Sequence, residues 1–488
     1  MILPRLTSRA IQIASLAIAL LSLVVLFGCI PSSLRQDTRQ ALEPPSNPQF
    51  SARLTGFLTL KDSQGPAVRL DLASLEILVD GVWLPLTQGP IIIDSEKIAS
   101  GQLFLGGMVI PPGHYQRLRM TVARGELLNA DGGYTEIIAE PLQLELPLAT
   151  GLDLETGDSR SLLLSWDVQN SLLPNNSLQL VLTATPPVRQ SLLNLIYVSC
   201  PDINTIFVVR ADNNWVVDSF GLIGHPTYLA IDPDASLQRM YVLTSRDKMV
   251  KVVDLSSFRV VGFFPIPMND QPTFMTTAPD GRNGRVAYLL DERSGYLSRM
   301  DLSTGRSTDR VLLGYQPKFA LYLSEQNLLA VSLSLSQKVL LLDPDDLAVV
   351  RVITTGNAPQ GMAVLDNQLY VAESGGGTVS ISDLNNRKNQ SRLTVGFGPR
   401  RLIAIDDQIY VSNYKDGSLS VLMQGQLGVI QEVFGLKQPQ EMAFDQFYRR
   451  LYVADDEARG LAVIDANSSL LLRYLSLGAK PFGLAVIQ

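Results

Sequence analysis

The chain has 488 residues, which is long enough for two or three domains with sizeable hydrophobic cores. Only 18% of the residues are charged, 46% are hydrophobic, and there are 36 glycines and 28 prolines. This composition favours a turn-rich all-β protein over a helical one. The formal net charge is −7 and no cluster of lysine and arginine stands out, so we expect no nucleic-acid partner.

Residues 1–28 are predicted to be a cleaved export signal. Arg5 and Arg9 precede an apolar run from Ile11 to Phe27, the order of charged and hydrophobic segments found in secretory signals. Loss of these two arginines changes the net charge from −7 to −9. The run is slightly long for an export signal, and an uncleaved transmembrane anchor is therefore the alternative.

The apolar run ends in Val25-Leu26-Phe27-Gly28-Cys29, which resembles a bacterial lipobox. The resemblance implies cleavage before Cys29 and attachment of diacylglycerol to its sulfur, and two or three acyl chains anchor a protein stably. We therefore expect a periplasmic or cell-surface lipoprotein, and Ile30 favours the outer membrane in an organism that has one. Residues 29–50, rich in Pro, Ser and Gln, are predicted to be a flexible tether.

Residues 51–187 are predicted to form a β-sandwich, because alternating segments such as Arg53–Leu60 are separated by turn residues such as Asp80-Gly81. The segment Pro111-Pro112-Gly113-His114-Tyr115-Gln116-Arg117 resembles the signature of an uncharacterised, prealbumin-like domain of bacterial lipoproteins. That family has no assigned chemistry. His114 has no cysteine or second histidine near it in the sequence, and we interpret it as a structural residue.

A repeat of 40 to 47 residues runs through residues 190–488. An apolar-Tyr-Val strand or a near variant begins at Ile196, Met240, Ala287, Leu329, Leu369, Ile409 and Leu451. A proline keeps the same spacing at Pro226, Pro272, Pro317, Pro359, Pro399, Pro439 and Pro481. A third strand ends in aspartate at Asp254, Asp301, Asp343, Asp383 and Asp465. Each unit has room for four strands. In the sixth unit the predicted strands are Arg401–Ile405, Ile409–Ser412, Ser418–Leu422 and Val429–Val433.

Four short strands at this period describe the blade of a β-propeller, and the repeat therefore predicts seven blades. Tyr410-Val411-Ser412-Asn413 resembles the YVTN family of bacterial surface propellers, a resemblance that covers residues 190–488. The array begins at Ile196–Ser199 and ends with Pro481–Ile487, so the C-terminal strand is predicted to complete blade one. The expected fold is all-β: an N-terminal β-sandwich followed by a seven-bladed β-propeller that the C-terminal strand closes.

Propellers place ligands on one face, at the mouth of the central channel. The resemblance implies that the loops before the Pro-led strands and the loops after the Tyr-Val strands share that face, which we call the candidate face. The first loops supply His225, Gln271, Gln316, Lys318, Gln360, Arg400, Arg401, Gln438, Glu441 and Lys480. The second loops supply Thr244, Asp291, Glu373, Asn413 and Asp455. The charges have mixed signs, so no cleft of one charge is predicted.

No catalytic residue, cofactor or metal site is predicted. His225 is the one histidine of the propeller, whereas streptogramin lyases, which have a similar repeat, depend on more than one histidine with a glutamate and a metal. We therefore expect a monomeric, non-enzymatic module that binds a protein or glycan. One alternative is a hydrolase or lyase at the channel mouth, with Glu373, Asp291 or His225 as acid or base. Another is a structural module of envelope assembly without a soluble ligand.

Overall fold

The computed structural model describes residues 51–487, except 63–64, 100, 130, 139, 175–176, 186–193, 267–270, 280–284 and 387–389. The predicted export signal, Cys29 and the tether fall in residues 1–50 and lie outside the described residues. No helix within the described ranges is long and apolar enough to cross a membrane.

The first ten strands form two sheets around one core. One sheet has the order β10-β9-β1-β5, with β1 and β9 parallel, and the other has the order β3-β2-β6-β7, with β4 beside β2 and β8 beside β6. The strands are β1 (Ala52–Leu60), β2 (Val68–Val79), β3 (Val82–Pro85), β4 (Ile91–Asp94), β5 (Leu103–Ile110), β6 (Gly113–Leu128), β7 (Tyr134–Ile138), β8 (Leu142–Leu154), β9 (Ser159–Trp166) and β10 (Leu182–Thr185). Within the described residues, the helical turns are Ser95–Ile98, Val168–Ser171, Pro201–Ile203 and Ala235–Leu237.

The sandwich follows the alternation of its sequence. In β6, Leu118, Met120 and Val122 are buried in the core between the sheets, whereas the alternate positions Arg117 and Arg119 point away from it. Tyr115 is buried as well, and its hydroxyl donates a hydrogen bond to the Pro111 carbonyl at the entry to the same strand. His114 contacts Asp153 of β8, 2.6 Å from its Nδ1 atom.

The remaining strands form seven four-stranded antiparallel sheets over the described residues. Blade 1 consists of β11 (Leu195–Cys200), β12 (Thr205–Arg210), β13 (Trp215–Gly221) and β38 (Leu484–Ile487). Blade 2 is β14 (Pro226–Ile231), β15 (Arg239–Thr244), β16 (Met249–Asp254) and β17 (Arg259–Pro265); blade 3 is β18 (Phe274–Pro279), β19 (Arg285–Leu290), β20 (Tyr296–Asp301) and β21 (Arg306–Leu312). Blade 4 is β22 (Pro317–Leu323), β23 (Leu328–Leu333), β24 (Lys338–Leu342) and β25 (Val349–Thr354); blade 5 is β26 (Pro359–Leu365), β27 (Gln368–Glu373), β28 (Thr378–Asp383) and β29 (Gln390–Thr394). Blade 6 is β30 (Pro399–Ile405), β31 (Gln408–Asn413), β32 (Ser418–Met423) and β33 (Val429–Val433); blade 7 is β34 (Pro439–Asp445), β35 (Arg450–Asp455), β36 (Gly460–Asp465) and β37 (Leu470–Ser476).

The C-terminal strand closes the ring as the sequence predicts. β38 pairs with β11 in antiparallel register from Leu195 opposite Ile487 to Val198 opposite Leu484. Just before β38, the Phe482 amide donates to the Ser199 carbonyl at 2.8 Å. The first strand of each blade contacts the first strand of the next, and β38 contacts both β14 and β34. The first and last blades are therefore joined through a strand from the far end of the chain.

Some tyrosines of the repeated motif link neighbouring blades, whereas the Tyr241 hydroxyl donates to Asp232 Oδ2 within blade 2 at 2.8 Å. The Tyr288 hydroxyl of blade 3 donates to the Pro344 carbonyl of blade 4 at 2.8 Å. Tyr452 of blade 7 reaches the Asn214 Oδ1 atom of blade 1 at 2.6 Å, across the seam where the ring closes. Tyr197 of blade 1 is buried too, but its hydroxyl has no hydrogen-bond partner among the described residues.

This difference predicts unequal effects of the same substitution. Tyr452→Phe should lower the free energy of unfolding by about 1–2 kcal/mol, because it removes a buried hydrogen bond and leaves the Asn214 oxygen unsatisfied. Tyr197→Phe, the matched control, should be neutral or slightly stabilising. Urea denaturation of both variants measures the difference, and equal losses would contradict this role of the seam hydrogen bond.

The aspartates that end the third strands fold the turn to the fourth strand. Asp254 Oδ1 accepts a hydrogen bond from the Ser257 amide at 2.8 Å, and Asp465 Oδ1 accepts one from the Ser468 amide at 2.9 Å. A carboxylate that receives nearby backbone N–H groups in this way stabilises a tight turn. The repeated aspartate is thus explained by local turn chemistry.

These turns predict a loss of stability in acid. Hydrogen bonds from the Ser256 and Ser257 side chains lower the pKa of Asp254, and the Ser468 amide, more than any other group, lowers the pKa of Asp465. Both pKa values lie below the unfolded value of 3.8, so the stabilisation is complete above pH 3.8 and is lost as the pH falls through the folded pKa values. Asp254→Asn plus Asp465→Asn should reduce this acid dependence in denaturation curves from pH 6 to pH 2, whereas the exposed control Glu457→Gln should not. An acid dependence unchanged by the double substitution would refute the prediction.

The sandwich packs against blades 1 and 7, within the single compact unit formed by residues 47–488. Phe57 of β1 is buried among propeller side chains that include Phe207 and Tyr452. Ser161 of β9 bonds Ser219 of β13, with 3.0 Å between the two hydroxyl oxygens. Cys200 lies fully buried in the same cluster, and burial raises the pKa of its thiol, as expected of a structural cysteine.

Candidate functional site

The two sets of predicted loops lie at the same end of the blades. Each Pro-led strand starts opposite the end of the following strand: Pro359 is paired with Glu373, Pro399 with Asn413 and Pro439 with Asp455. The loops before the former strands and after the latter therefore share one face of the ring, as the sequence predicts.

The candidates from the second set of loops are buried. Thr244, Asn413 and Asp455 are 0% exposed, Glu373 is 1% exposed and Asp291 is 4% exposed. The three carboxylates among them accept backbone N–H groups of the preceding loop, from Gln271 to Asp291 at 2.8 Å, from Gly356 to Glu373 at 2.5 Å, and from Lys437 to Asp455 at 2.8 Å. These side chains hold the loops in place and are not available to a macromolecular partner.

Glu373, which sequence reasoning names as a possible acid or base, is fully occupied by protein groups. Its Oε2 atom accepts from the Thr378 hydroxyl at 2.6 Å and lies 2.7 Å from Arg392 Nε. Its Oε1 atom accepts from the Gly356 amide. The carboxylate has no open side from which a substrate could approach.

Side chains from blades 2, 3, 4, 6 and 7 meet on the axis of the ring. Each Pro-led strand from blade 2 to blade 7 directs the residue two positions after its proline inward: Tyr228, Phe274, Phe319, Gly361, Arg401 and Glu441. Arg401 of blade 6 contacts blades on three sides, since its Nε atom lies 3.0 Å from Glu441 Oε2, its Nη2 donates to the Tyr228 hydroxyl at 2.8 Å and its guanidinium lies 4.9 Å from the Phe319 ring centre. One side chain can reach so many blades only along the axis.

Aromatic rings surround this ion pair. The ring centres of Tyr228 and Phe274 are 4.5 Å apart, those of Phe274 and Phe319 are 4.7 Å apart, and Phe482, just before β38, lies 5.2 Å from Tyr228. We call this group, with Arg401 and Glu441, the axial cluster. It fills the centre of the ring at this level.

Glycine is required in the blade that contributes no side chain to the axial cluster. A Cβ atom on Gly361 of blade 5 would lie 2.5 Å from the Arg400 carbonyl oxygen and 2.9 Å from the Arg401 Cα atom. The missing side chain lets blades 5 and 6 approach closely and leaves Arg401 room at the axis.

Arg401 keeps its charge within the axial cluster. Burial opposes the charge of Arg401, but Tyr228 and Glu441 outweigh it and raise the arginine pKa above its ordinary value. Burial raises the pKa of Tyr228 to about 12, although Arg401 opposes this change. Arg401 therefore stays charged and Tyr228 stays protonated across the physiological range.

A second polar group lies at the mouth of the ring, on blades 6 and 7. Arg400 donates from Nη1 to Gln440 Oε1 at 3.0 Å, and its guanidinium carbon lies 3.8 Å from the centre of the Tyr414 ring. The Tyr414 hydroxyl donates to Gln438 Oε1 at 2.9 Å. Burial lowers the pKa of Arg400 and raises the pKa of Asp456, while Lys480 and Arg400 act in the opposite sense on Asp456. The mouth thus presents partly desolvated groups of both charges.

Other candidates of the first set stand apart from one another. His225 Nδ1 lies 3.0 Å from the Ser245 hydroxyl, its Nε2 atom lies 3.6 Å from Asp202 Oδ1, and burial followed by the charge of Arg246 lowers its pKa. Lys318 pairs with Glu292 at 2.5 Å. The structure leaves Gln271 exposed and Gln316 and Gln360 half-buried. Within the described ranges, no group of three His, Cys, Asp or Glu side chains is arranged to hold a metal ion.

Sequence reasoning missed three large apolar side chains on the candidate face. Tyr315, Leu335 and Phe397 are 76%, 64% and 71% exposed. Tyr315 and Phe397 lie in loops before Pro-led strands, and Leu335 follows the second strand of blade 4. We call them the apolar rim. Tyr315 and Phe397 each stand two residues before a repeat proline, and this shared position could have identified these two residues from the sequence.

No known family and no curated protein matches the sequence. Among solved structures, a functionally unknown protein from Desulfotomaculum acetoxidans is similar with a TM-score of 0.52 at 14% identity, over 60% of this chain and 99% of that one. Kuenenia stuttgartiensis hydrazine synthase matches with a TM-score of 0.49 at 16% identity, over 56% of this chain and 92% of that one. The dihydro-heme d1 dehydrogenase NirN, in complex with DHE, matches with a TM-score of 0.46 at 15% identity, over 61% of this chain and 76% of that one. At these identities the likeness concerns the fold alone. The strand pairing of the described residues, seven four-stranded antiparallel sheets with the C-terminal strand in the first, defines an all-β protein with a β-propeller.

Proposed function

We propose that the chain is a membrane-anchored, extracytoplasmic lipoprotein that binds a protein partner through the candidate face of a YVTN-type propeller. The prealbumin-like sandwich serves as its base, and the propeller carries no catalytic site. A glycan partner is the competing outcome for the same face.

The apolar rim is the observation that carries this proposal. Large exposed apolar side chains gathered on one face mark interaction sites, and the core of a protein interface favours aromatic residues. Arg400, Asp456 and Lys480 at the mouth add charges of both signs to the same face. Exposed apolar side chains together with charges of both signs on one face suit a protein surface better than a sugar, which needs directed hydrogen bonds.

The interior of the ring supports binding over catalysis. The axial cluster occupies the channel where a small substrate would enter. Glu373 and Asp291, the acid or base residues of the hydrolase or lyase hypothesis, are buried and accept backbone hydrogen bonds. A protein partner that binds at the apolar rim requires neither an open channel nor an accessible carboxylate.

Lipid anchoring through Cys29 gives the first experimental test. Cys29→Ser should abolish incorporation of labelled palmitate, because the Cys29 sulfur is the proposed point of lipid attachment. Cys200→Ser is the control, since Cys200 is buried in the propeller. Membrane-bound wild-type protein without palmitate label would contradict lipid anchoring and favour an uncleaved transmembrane anchor.

Partner capture tests the face itself. The delipidated protein should retain a partner from envelope extracts, and Phe397→Ser should release most of it. Phe447→Ser is a matched control, because Phe447 is equally exposed at 71% but lies between β34 and β35 at the opposite end of blade 7. Equal loss in both variants, or no reproducible partner, would count against the proposal, and release by free sugars would identify a glycan.

A further inference from the structure

A cleft of about 610 Å³ lies between the sandwich and the propeller. One wall is formed by β1, β5 and the loop before β4, and the other by loops of blades 1 and 7. This size is within the range of small-molecule sites, about 300–1,000 Å³. Both walls belong to the compact unit of residues 47–488.

The charge in the cleft is of one sign. Two arginines, Arg53 and Arg459, are among its lining residues, whereas no aspartate or glutamate is. This composition is unusual for a chain with a net charge of −7. The cleft is therefore locally cationic on an acidic protein.

The charge of Arg53 is destabilised by its position in the cleft. Its side chain is half-buried, and burial lowers its pKa without an acidic residue that offsets the effect. No ion pair of Arg53 or Arg459 occurs within the described residues. A partly desolvated guanidinium without a counter-charge is unfavourable unless a ligand supplies one.

The rest of the lining is apolar or small. Ile91, Phe104 and Leu477 contribute hydrocarbon surface, and Gly478 lets Phe104 pack closely, since a Cβ atom there would lie 2.1 Å from the Phe104 ring. Such a surface suits an apolar group next to the charged end of a ligand.

We propose that this cleft binds a small organic anion, with a carboxylate or phosphate group held by Arg53 and Arg459 and an apolar body against Phe104 and its neighbours. Guanidinium groups recognise such oxyanions through paired, charge-assisted hydrogen bonds. The propeller wall of the cleft consists of loops of the candidate face on blades 1 and 7, whereas the apolar rim lies in loops of blades 4 and 6.

Calorimetric titration of the chain as the cell produces it, in non-ionic detergent at low salt, tests this site with phenyl phosphate as the probe. We expect saturable binding, weaker binding of inorganic phosphate, and none of benzyl alcohol. Arg53→Gln and Arg459→Gln should each weaken phenyl phosphate binding by about 10-fold or more, because each removes charge-assisted hydrogen bonds. Arg306→Gln is the matched control, since Arg306 is an exposed arginine of blade 3 outside the cleft.

Three results would overturn the proposal: no saturable binding of phenyl phosphate, equal loss in Arg306→Gln, or equal affinity for inorganic phosphate and phenyl phosphate. Equal affinity for the two probes would show that the apolar lining contributes nothing to binding and that the cleft attracts anions only through its charge. If Arg53→Gln fails to fold, Arg459→Gln still decides, because Arg459 is exposed and its removal leaves the packing of β1 intact.

Discussion

Deletion of Phe482–Gln488 should lower the free energy of unfolding by roughly 5 kcal/mol or more, an amount comparable with the whole stability of many domains. The deletion removes the inner strand of blade 1, its four-residue pairing with β11 and the Phe482 ring from the axial cluster. Loss of a fully buried phenylalanine costs about 3–5 kcal/mol, and loss of the half-buried Phe482 adds part of that amount to the loss of the strand. The truncated protein should therefore be unfolded, or open at the seam between blades 7 and 1.

Urea denaturation followed by circular dichroism measures this loss. Deletion of Gln488 alone is the control, since the paired residues end at Ile487. The seven-residue deletion should also expose the edge of β11 and cause concentration-dependent association in size-exclusion chromatography. An unchanged denaturation midpoint would show that β38 does not close the ring.

Removal of one partner of the axial ion pair should cost about 3–5 kcal/mol, whereas removal of both should cost much less. Arg401 and Glu441 are 12% and 20% exposed, so Glu441→Leu leaves a nearly buried guanidinium without its counter-charge. Arg401→Met with Glu441→Leu replaces both charges by apolar groups next to Phe274 and Phe319. The aromatic surroundings should accept these side chains.

A double-mutant cycle in urea denaturation separates these outcomes. The control cycle uses Lys318→Met and Glu292→Leu, because this pair, at 25% and 32% exposure, lies nearer the surface and should contribute no more than about 1 kcal/mol. Additive losses at Arg401 and Glu441 would mean that the two charges do not depend on each other.

The repeat made the propeller predictable because each blade uses the same local chemistry. Proline at the start of the first strand, the Tyr-Val core of the second and aspartate at the end of the third each depend on interactions within a blade or with its neighbour. Within blade 6, the predicted strands agree with the observed ones to within two residues at each end. The closure by β38 was predictable from the phase of the repeat at its two ends.

The axial cluster was not predicted from the sequence, because its contacts join residues that are far apart in the chain. Arg401 and Tyr228 are 173 residues apart. Both stand two positions after a repeat proline, as Phe274, Phe319 and Glu441 do, so alignment of the repeats on proline could have identified the layer. Sequence reasoning placed Arg401 and Glu441 among surface candidates, whereas the structure pairs them on the axis.

The polarity of a loop residue does not tell whether its side chain is exposed to a partner or buried in a structural role, whereas its burial in the structure does. Glu373 and Asp455 follow Tyr-Val strands as polar loop residues do, yet their carboxylates receive backbone N–H groups and are withdrawn from solvent. Conversely, Tyr315 and Phe397 are apolar and exposed. The cationic cleft involves Arg53 and Arg459 from opposite ends of the chain, and only the packing of the sandwich on the propeller brings them together.

The most direct test of the proposed partner surface is photo-crosslinking in living cells, with a photoreactive phenylalanine analogue in place of Phe397 or Phe447. The two positions have the same exposure, 71%, and lie at opposite ends of the blades. We predict a discrete crosslinked protein from position 397 and none of comparable yield from position 447. Crosslinks of equal yield from both positions, or none from position 397, would contradict binding through the candidate face.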